Sequence, residues 1–268
     1  MSELKSICSG VPQGSILGPY LFALVTGSFK LDNEDCKLVM YADDFSICAP
    51  IKRLTNNVHI SEAHQHLLRW STDNSLQMNL KKCHSIVIPK SQDCVPIPLS
   101  DVMIVKELKL LGVVFNSKGN WTRHVEKKIS QASRNLYIIR VLKYSLSKEQ
   151  LIMVYNSTIR SILEYASPLF VGLSKKNALK LESVQKRFHR ILCGPHCSEH
   201  KLVSLEVRRK LAATKLFKKA TSPEHIIHDL LPIQSSSGRF ILPQIKQTRR
   251  LHSFIIFTAL LINSYHQR

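Results

Sequence analysis

The chain has 268 residues, enough for one or two domains with a buried core. Hydrophobic residues make up 44% and charged residues 21%, which excludes wholly disordered and collagen-like classes. The longest apolar run is the nine residues from Phe254 to Ile262, well short of the roughly 20 needed to span a membrane. The formal net charge is +19, and it is unevenly placed: residues 1–120 hold 12 basic and 11 acidic residues, and residues 121–268 hold 26 and 8. A basic second half is what a polyphosphate partner needs, because each phosphate contact releases counterions; a solvated basic face explains the same excess without a partner. Seven cysteines scattered through a chain of this size fit reduced thiols better than a disulfide framework. No signal-type apolar region follows Met1, since Glu3, Lys5 and Ser9 interrupt it. The expectation is a soluble intracellular protein, nuclear or cytoplasmic.

In chain order, Gly10 to Pro19 is a glycine-punctuated turn, and Pro19 to Phe29 then carries apolar residues at helical spacing. Lys37 to Cys48 reads as a β-hairpin with Ala42-Asp43-Asp44 at its tip. Ile60, Ala63, Leu67, Trp70 and Asn74 predict a helix over 56–77. Cys83 to Pro89 and Leu108 to Phe115 read as strands. From Trp121 the pattern becomes helical: Val125, Ile129, Ala132, Leu136, Ile139 and Leu142 form one stripe, Ser147 with Gln150 is a capping box, and Leu151, Val154, Tyr155, Ile159 and Ile162 continue it until Pro168. Ser174 begins a third helix, 175–192, that Gly194 stops. The pattern then weakens; Leu231 to Gly238 reads as a loop, and a short apolar helix is expected near 250–263. The fold class is α+β, with strands and helices mixed first and helices alone afterwards.

Asp43 and Asp44 are adjacent carboxylates between apolar strands. Burying two bare charges is costly, and a divalent cation bound by oxygen donors would offset it. An isolated pair is better explained by the preference of Asp for turns. This pair follows Gly10-Val11-Pro12-Gln13-Gly14-Ser15-Ile16-Leu17-Gly18-Pro19-Tyr20-Leu21-Phe22 and is preceded by Tyr41-Ala42. In these two motifs the chain resembles the reverse transcriptases of non-LTR (LINE-type) retrotransposons. The resemblance continues in Asn79 and Lys82, in Leu111-Gly112-Val113 with Trp121 and His124, and in Leu181-Glu182-Ser183-Val184-Gln185-Lys186-Arg187 with Arg190. It covers about residues 8–195 and weakens toward 263.

That resemblance implies a palm over 1–118, a helical thumb over 119–195 and a basic C-terminal extension over 196–268. It implies RNA-directed DNA polymerisation on an RNA template with a DNA primer and deoxynucleoside triphosphates, using two Mg²⁺ or Mn²⁺ ions about 4 Å apart. It makes Asp43 and Asp44 the catalytic and metal-holding residues. Gly10, Gln13, Gly14, Tyr41 and Lys82 would meet the nucleotide and template, and Leu111, Gly112 and Val113 would form the primer-grip region. Trp121 reads more simply as a core anchor. Arg134, Arg140, Lys143, Lys186, Arg187 and Arg190 would contact the nucleic-acid backbone. Such palms carry a further catalytic Asp on a strand upstream of the glycine motif, and residues 2–9 offer only Glu3, so the expectation is a truncated domain with little activity alone. The alternative is a non-enzymatic, sequence-independent nucleic-acid-binding remnant. Cys193, His196, Cys197 and His200 are zinc-ligand types, but four within eight residues are too cramped, and a helix-ending loop with spare thiols is preferred.

Overall fold

The computed structural model describes residues 14–50, 58–89, 98–194, 202–244 and 253–265. It divides into two compact units, Met1–Leu108 and Lys109–Arg268.

The first unit opens with helix α1, Gly18–Gly27. Pro19 sits in its first turn, where the missing N–H costs nothing, and Ser15 Oγ accepts from the Gly18 amide at 3.0 Å. Strands β1, Lys37–Tyr41, and β2, Asp44–Cys48, then pair antiparallel with Tyr41 opposite Asp44. Helix α2, Val58–Asp73, buries Ala63, His64, Leu67 and Ser71. Phe45 of β2 is held between Phe29 and Trp70, at ring separations of 6.1 and 6.2 Å, and Phe29 meets Trp70 at 5.1 Å. This aromatic trio fixes the hairpin on the ends of the two helices.

Helix, hairpin and helix follow the predicted order, but α1 does not bury its apolar face: Ile16 is 86% and Leu24 73% exposed, and Leu17, Tyr20 and Leu21 are exposed beside them. The strand expected over 83–89 shrinks to β3, His84–Ser85, paired in parallel with β4, Met103–Ile104.

The strand expected over 108–115 is two strands. β5, Glu107–Leu110, which spans the division between the units, turns back into β6, Val113–Asn116. Leu111 (φ 46°) and Gly112 (φ 78°) are both left-handed, which a two-residue hairpin turn of this hand requires. The run lacks polar turn residues, so the reversal is invisible to periodicity.

The second unit is mainly helical. α3, Thr122–Leu142, carries Val125, Ala132, Leu136 and Ile139 on its buried side. α4, Lys148–Tyr155, starts at the predicted capping box: the Gln150 amide donates to Ser147 Oγ at 3.3 Å and the Ser147 amide to Gln150 Oε1 at 2.9 Å. It continues through a five-residue π-helical turn, Asn156–Arg160, into α5, Ser161–Glu164. The chain breaks at Ala166 (φ 57°) and passes through a 3₁₀ turn, Ser167–Phe170. α6, Lys175–Cys193, begins at Ser174, whose Oγ accepts from the Asn177 amide, and ends at left-handed Gly194 (φ 81°).

These helices close one core in which Tyr155 and Phe188 stack at 4.0 Å with 9° between planes. α7, Leu205–Ala220, extends that core through Leu205 and was absent from the sequence reading. α8, Phe254–Tyr265, matches the expected short apolar helix and packs with Phe217 and Phe240 in a second cluster. Among the described residues no helix is long and apolar enough to cross a membrane.

Candidate active site and nucleic-acid interface

The β1–β2 hairpin turns through Ala42 and Asp43. Ala42 is left-handed (φ 52°), and Asp44 already belongs to β2 opposite Tyr41. Tyr41, Asp43 and Asp44 therefore project from adjacent backbone at one tip, and all three are exposed. This corrects one expectation. The two carboxylates are not buried between the strands, so no desolvation cost demands a cation here.

The donor chemistry still suits one. Two neighbouring carboxylates offer the hard oxygens that Mg²⁺ takes while it keeps waters and substrate phosphates as its other ligands. The set is short in number: among the described residues no group of three or more His, Cys, Asp or Glu side chains is placed to hold a metal ion.

Of the other expected nucleotide contacts, Gly14 is left-handed (φ 88°) and exposed, and a Cβ built there meets no atom within 4 Å. Glycine is needed for its backbone conformation, and the space in front of it is open. Lys82 ends a 3₁₀ turn, Leu80–Lys82, whose first bond runs from its own amide to the Asn79 carbonyl at 2.9 Å. Its ammonium is exposed, and among the described residues no ion pair joins it to Asp43 or Asp44. Gly10 and Gln13 lie outside the described residues, as do His196, Cys197 and His200 of the cysteine–histidine cluster.

In the second unit Leu111 and Gly112 are the turn between β5 and β6, and Val113 is the first, buried residue of β6. The turn is tied to the helices. Tyr165 donates its hydroxyl to the Leu111 carbonyl at 2.6 Å, and His124 Nδ1 accepts from the Val114 amide at 3.2 Å. His124 is 1% exposed, and burial, with Lys128 adding to it, holds its pKa down to about 4. Trp121 packs against Phe115, His124 and Phe170, so it is a core anchor as expected.

The six expected backbone contacts fall on two helices packed against each other, Arg134 and Arg140 on α3 with Lys143 at its end, and Lys186, Arg187 and Arg190 on α6. Five are exposed. Arg187 is half-buried and already donates to Ser133 Oγ at 2.9 Å.

The Leu181-to-Arg187 motif also has internal work that spacing does not reveal. Glu182 accepts from the Leu205 amide at 3.0 Å, which caps α7. Gln185 accepts from the Tyr155 hydroxyl at 2.9 Å and donates to the Val203 carbonyl at 3.0 Å. Arg208 closes the same region by pairing with Glu164.

Comparison with known proteins bears on this arrangement directly. Residues 2–115 match the family "Reverse transcriptase (RNA-dependent DNA polymerase)", a stretch that contains both the glycine motif and the Asp43-Asp44 tip. Over residues 2–115 the chain is similar to a reverse transcriptase domain. It is similar to the RNA-directed DNA polymerase from mobile element jockey of Drosophila melanogaster, at 24% identity over 208 residues, and to that of Drosophila funebris, at 22% over 210. Each match covers 72% of this chain and 23% of the relative, so the chain spans about a quarter of the length of these curated relatives. The matched stretch of the jockey polymerases is longer than the 114 residues of the family match, so their similarity extends past the reverse transcriptase region. No solved structure matches significantly.

Proposed function

We propose that the chain supplies palm and thumb parts of an RNA-directed DNA polymerase, with residues 1–118 as palm, 119–195 as thumb and 196–268 as a basic extension. The observation that carries the reading is the pair Asp43-Asp44 at an exposed hairpin tip inside the stretch that matches the reverse transcriptase family. In this reading Asp43 and Asp44 hold a divalent cation, Mg²⁺ or Mn²⁺, together with oxygens of the incoming triphosphate. The bound cation would activate the primer 3′ oxygen and neutralise the leaving phosphates. Lys82 brings a positive charge to the triphosphate, Gly14 leaves its backbone open to a base, and Tyr41 flanks the nucleotide. Gly10 and Gln13 complete that surface. The Leu111-Gly112-Val113 turn bears on the primer strand. Arg134, Arg140, Lys143, Lys186 and Arg190 meet backbone phosphates without reading sequence, and Arg187 does so to the extent that its bond to Ser133 allows.

The test is primer extension on an RNA template by the purified chain, in Mg²⁺ and in Mn²⁺, beside Asp43→Asn. Because no third metal-ligating side chain joins Asp43 and Asp44 among the described residues, little or no extension by the chain alone is the expected result, and extension that Asp43→Asn abolishes would overturn it. A second reading, nucleic-acid binding without chemistry, draws on the concentration of basic charge on α3 and α6. It predicts salt-sensitive duplex binding with no Asp43-dependent, metal-dependent binding of a deoxynucleoside triphosphate, and equilibrium titration of the nucleotide decides between the two.

A further inference from the structure

We propose that Ser222 is a phosphorylation site for a proline-directed serine/threonine kinase, and that Lys218 and Lys219 hold the phosphate it receives. The inference goes beyond the polymerase reading and does not depend on it.

The chain contains two Ser-Pro dipeptides, Ser167-Pro168 and Ser222-Pro223. Proline offers no N–H and holds the residue before it away from the helical region. A kinase that accepts proline after the serine does so with an apolar pocket in place of a backbone hydrogen bond. As dipeptides the two are equivalent, and the fold separates them. Ser167 is 5% exposed and opens the 3₁₀ turn Ser167–Phe170, whose last residue belongs to the main helical core. Presenting Ser167 to an enzyme would pull Phe170 out of that core.

Ser222 lies on an open turn. Pro223 cannot continue α7, the helix stops at Ala220, and Thr221 to Glu224 are all exposed. The Ser222 amide donates to the Lys219 carbonyl at 3.2 Å, and its carbonyl accepts from the His225 amide at 3.0 Å. Its hydroxyl makes no hydrogen bond among the described residues, whereas the Thr221 hydroxyl is spent on the Lys218 carbonyl at 2.7 Å. A kinase takes its substrate extended, and here only the backbone bonds of an exposed turn have to open.

In the transfer, Ser222 Oγ attacks the γ-phosphorus of Mg²⁺-bound ATP, the bond to the ADP oxygen breaks, and the hydroxyl proton passes to the catalytic carboxylate of the kinase. The product is a dianion at the carboxyl end of α7, where the helix dipole alone would oppose it. Lys218 and Lys219 offset that opposition. They stand in the last turn of α7, four and three residues before Ser222. Both are exposed, and among the described residues no carboxylate pairs with either. The phosphate therefore gains two ammonium partners that the unmodified chain leaves unused.

The experiment treats the full chain with Mg²⁺-ATP and either a mitogen-activated protein kinase or a cyclin-dependent kinase, and maps the phosphate by mass spectrometry. Synthetic peptides covering 161–173 and 216–228 are treated alongside as unfolded references. Both peptides should be modified, at Ser167 and at Ser222, and the folded chain at Ser222 alone. Ser222→Ala and Pro223→Ala should each lose the modification, and thermal melts establish that both variants are folded. A folded chain left unmodified at Ser222 would overturn the site, whether or not the 216–228 peptide is modified. Modification of the folded chain at Ser167 as readily as at Ser222 would overturn the selection by the fold. The lysines are tested by following the phosphorus-31 resonance of the phosphorylated chain against pH, in about 0.5 M salt to screen the general positive charge. The second ionisation of an exposed phosphoserine falls at about pH 6. In the chain it should fall about half a unit lower, and it should return in the Lys218→Gln/Lys219→Gln variant. The same ionisation in chain and variant would overturn the role of the two lysines.

Discussion

His124 shows how one side chain can carry a unit's dependence on pH. It is sealed between Trp121, Phe170 and β6, and its Nδ1 accepts a backbone N–H, so the neutral tautomer with hydrogen on Nε2 is the one the fold uses. Its folded-state pKa of about 4 lies below the ordinary value of 6.5. Between those values the unfolded chain takes up a proton that the native state refuses. The contribution is therefore complete above pH 6.5 and is lost as pH falls toward 4, on the order of 3 kcal/mol in all. Denaturant titrations at pH 7 and pH 4.5 should show this fall in the wild type. In His124→Gln, which can still accept from Val114, the difference between the two pH values should shrink by about that amount. An identical pH profile in the variant would remove His124 as its cause.

At the scale of elements, α7 sets the limit of what periodicity discloses. Its buried positions, Leu205, Arg209, Ala213 and Phe217, recur every four residues, but one of them is an arginine and the stripe is broken at sight. Arg209 is 3% exposed, its Nε has no hydrogen-bond partner among the described residues, and burial lowers its pKa. An unsatisfied buried donor costs about 1–3 kcal/mol. Arg209→Met, which keeps length without the charge, should leave stability unchanged or raise it by about 1 kcal/mol, and Arg209→Ala should lower it through the cavity left behind. Melting temperatures of the two variants give the answer, and a large loss in Arg209→Met would mean the guanidinium has a role that packing does not show.

The elements that were legible carried their own signals: the Ser147 and Ser174 caps, the α3 stripe, and the Asp-Asp tip between two apolar strands. The hairpin of β5 and β6 carried none, because its turn is a leucine and a glycine inside an apolar run and depends on Tyr165, 54 residues away, to hold it. For the candidate site, motif order located the carboxylate tip, but its exposure follows from the fold alone. Part of the Leu181-to-Arg187 motif is spent on fastening α6 to α7 and α3.

Over the whole molecule, charge and core are divided along the same line. Both apolar clusters lie within Lys109–Arg268, and so does nearly all the excess positive charge. Among the described residues the first unit buries fewer apolar side chains, Phe29, Cys36, Ala63 and Leu67, and leaves the α1 face and Val39 in the open. Residues 109–268 expressed alone should give a single cooperative thermal transition with a structured aromatic circular-dichroism signal. A broad, non-cooperative melt would mean that the helical unit depends on the preceding residues. The large net charge also makes any measured affinity for nucleic acid a property of the salt concentration as much as of the protein.

The widened turn at Asn156–Arg160 ties these scales together. Leu151, Tyr155, Ile159 and Leu163 are all buried and all four residues apart, and in a regular α-helix each such step overshoots a full turn by about 40°. The π turn winds that excess back and keeps the four on one side. Phase along this rod is thus set by a single surplus residue. Removing one residue between 156 and 160 would restore a regular helix at nearly the present phase, but inserting a further one would swing everything beyond it by about 100°, Tyr165 included. The hold on Leu111 would slip although no residue that makes it had been altered.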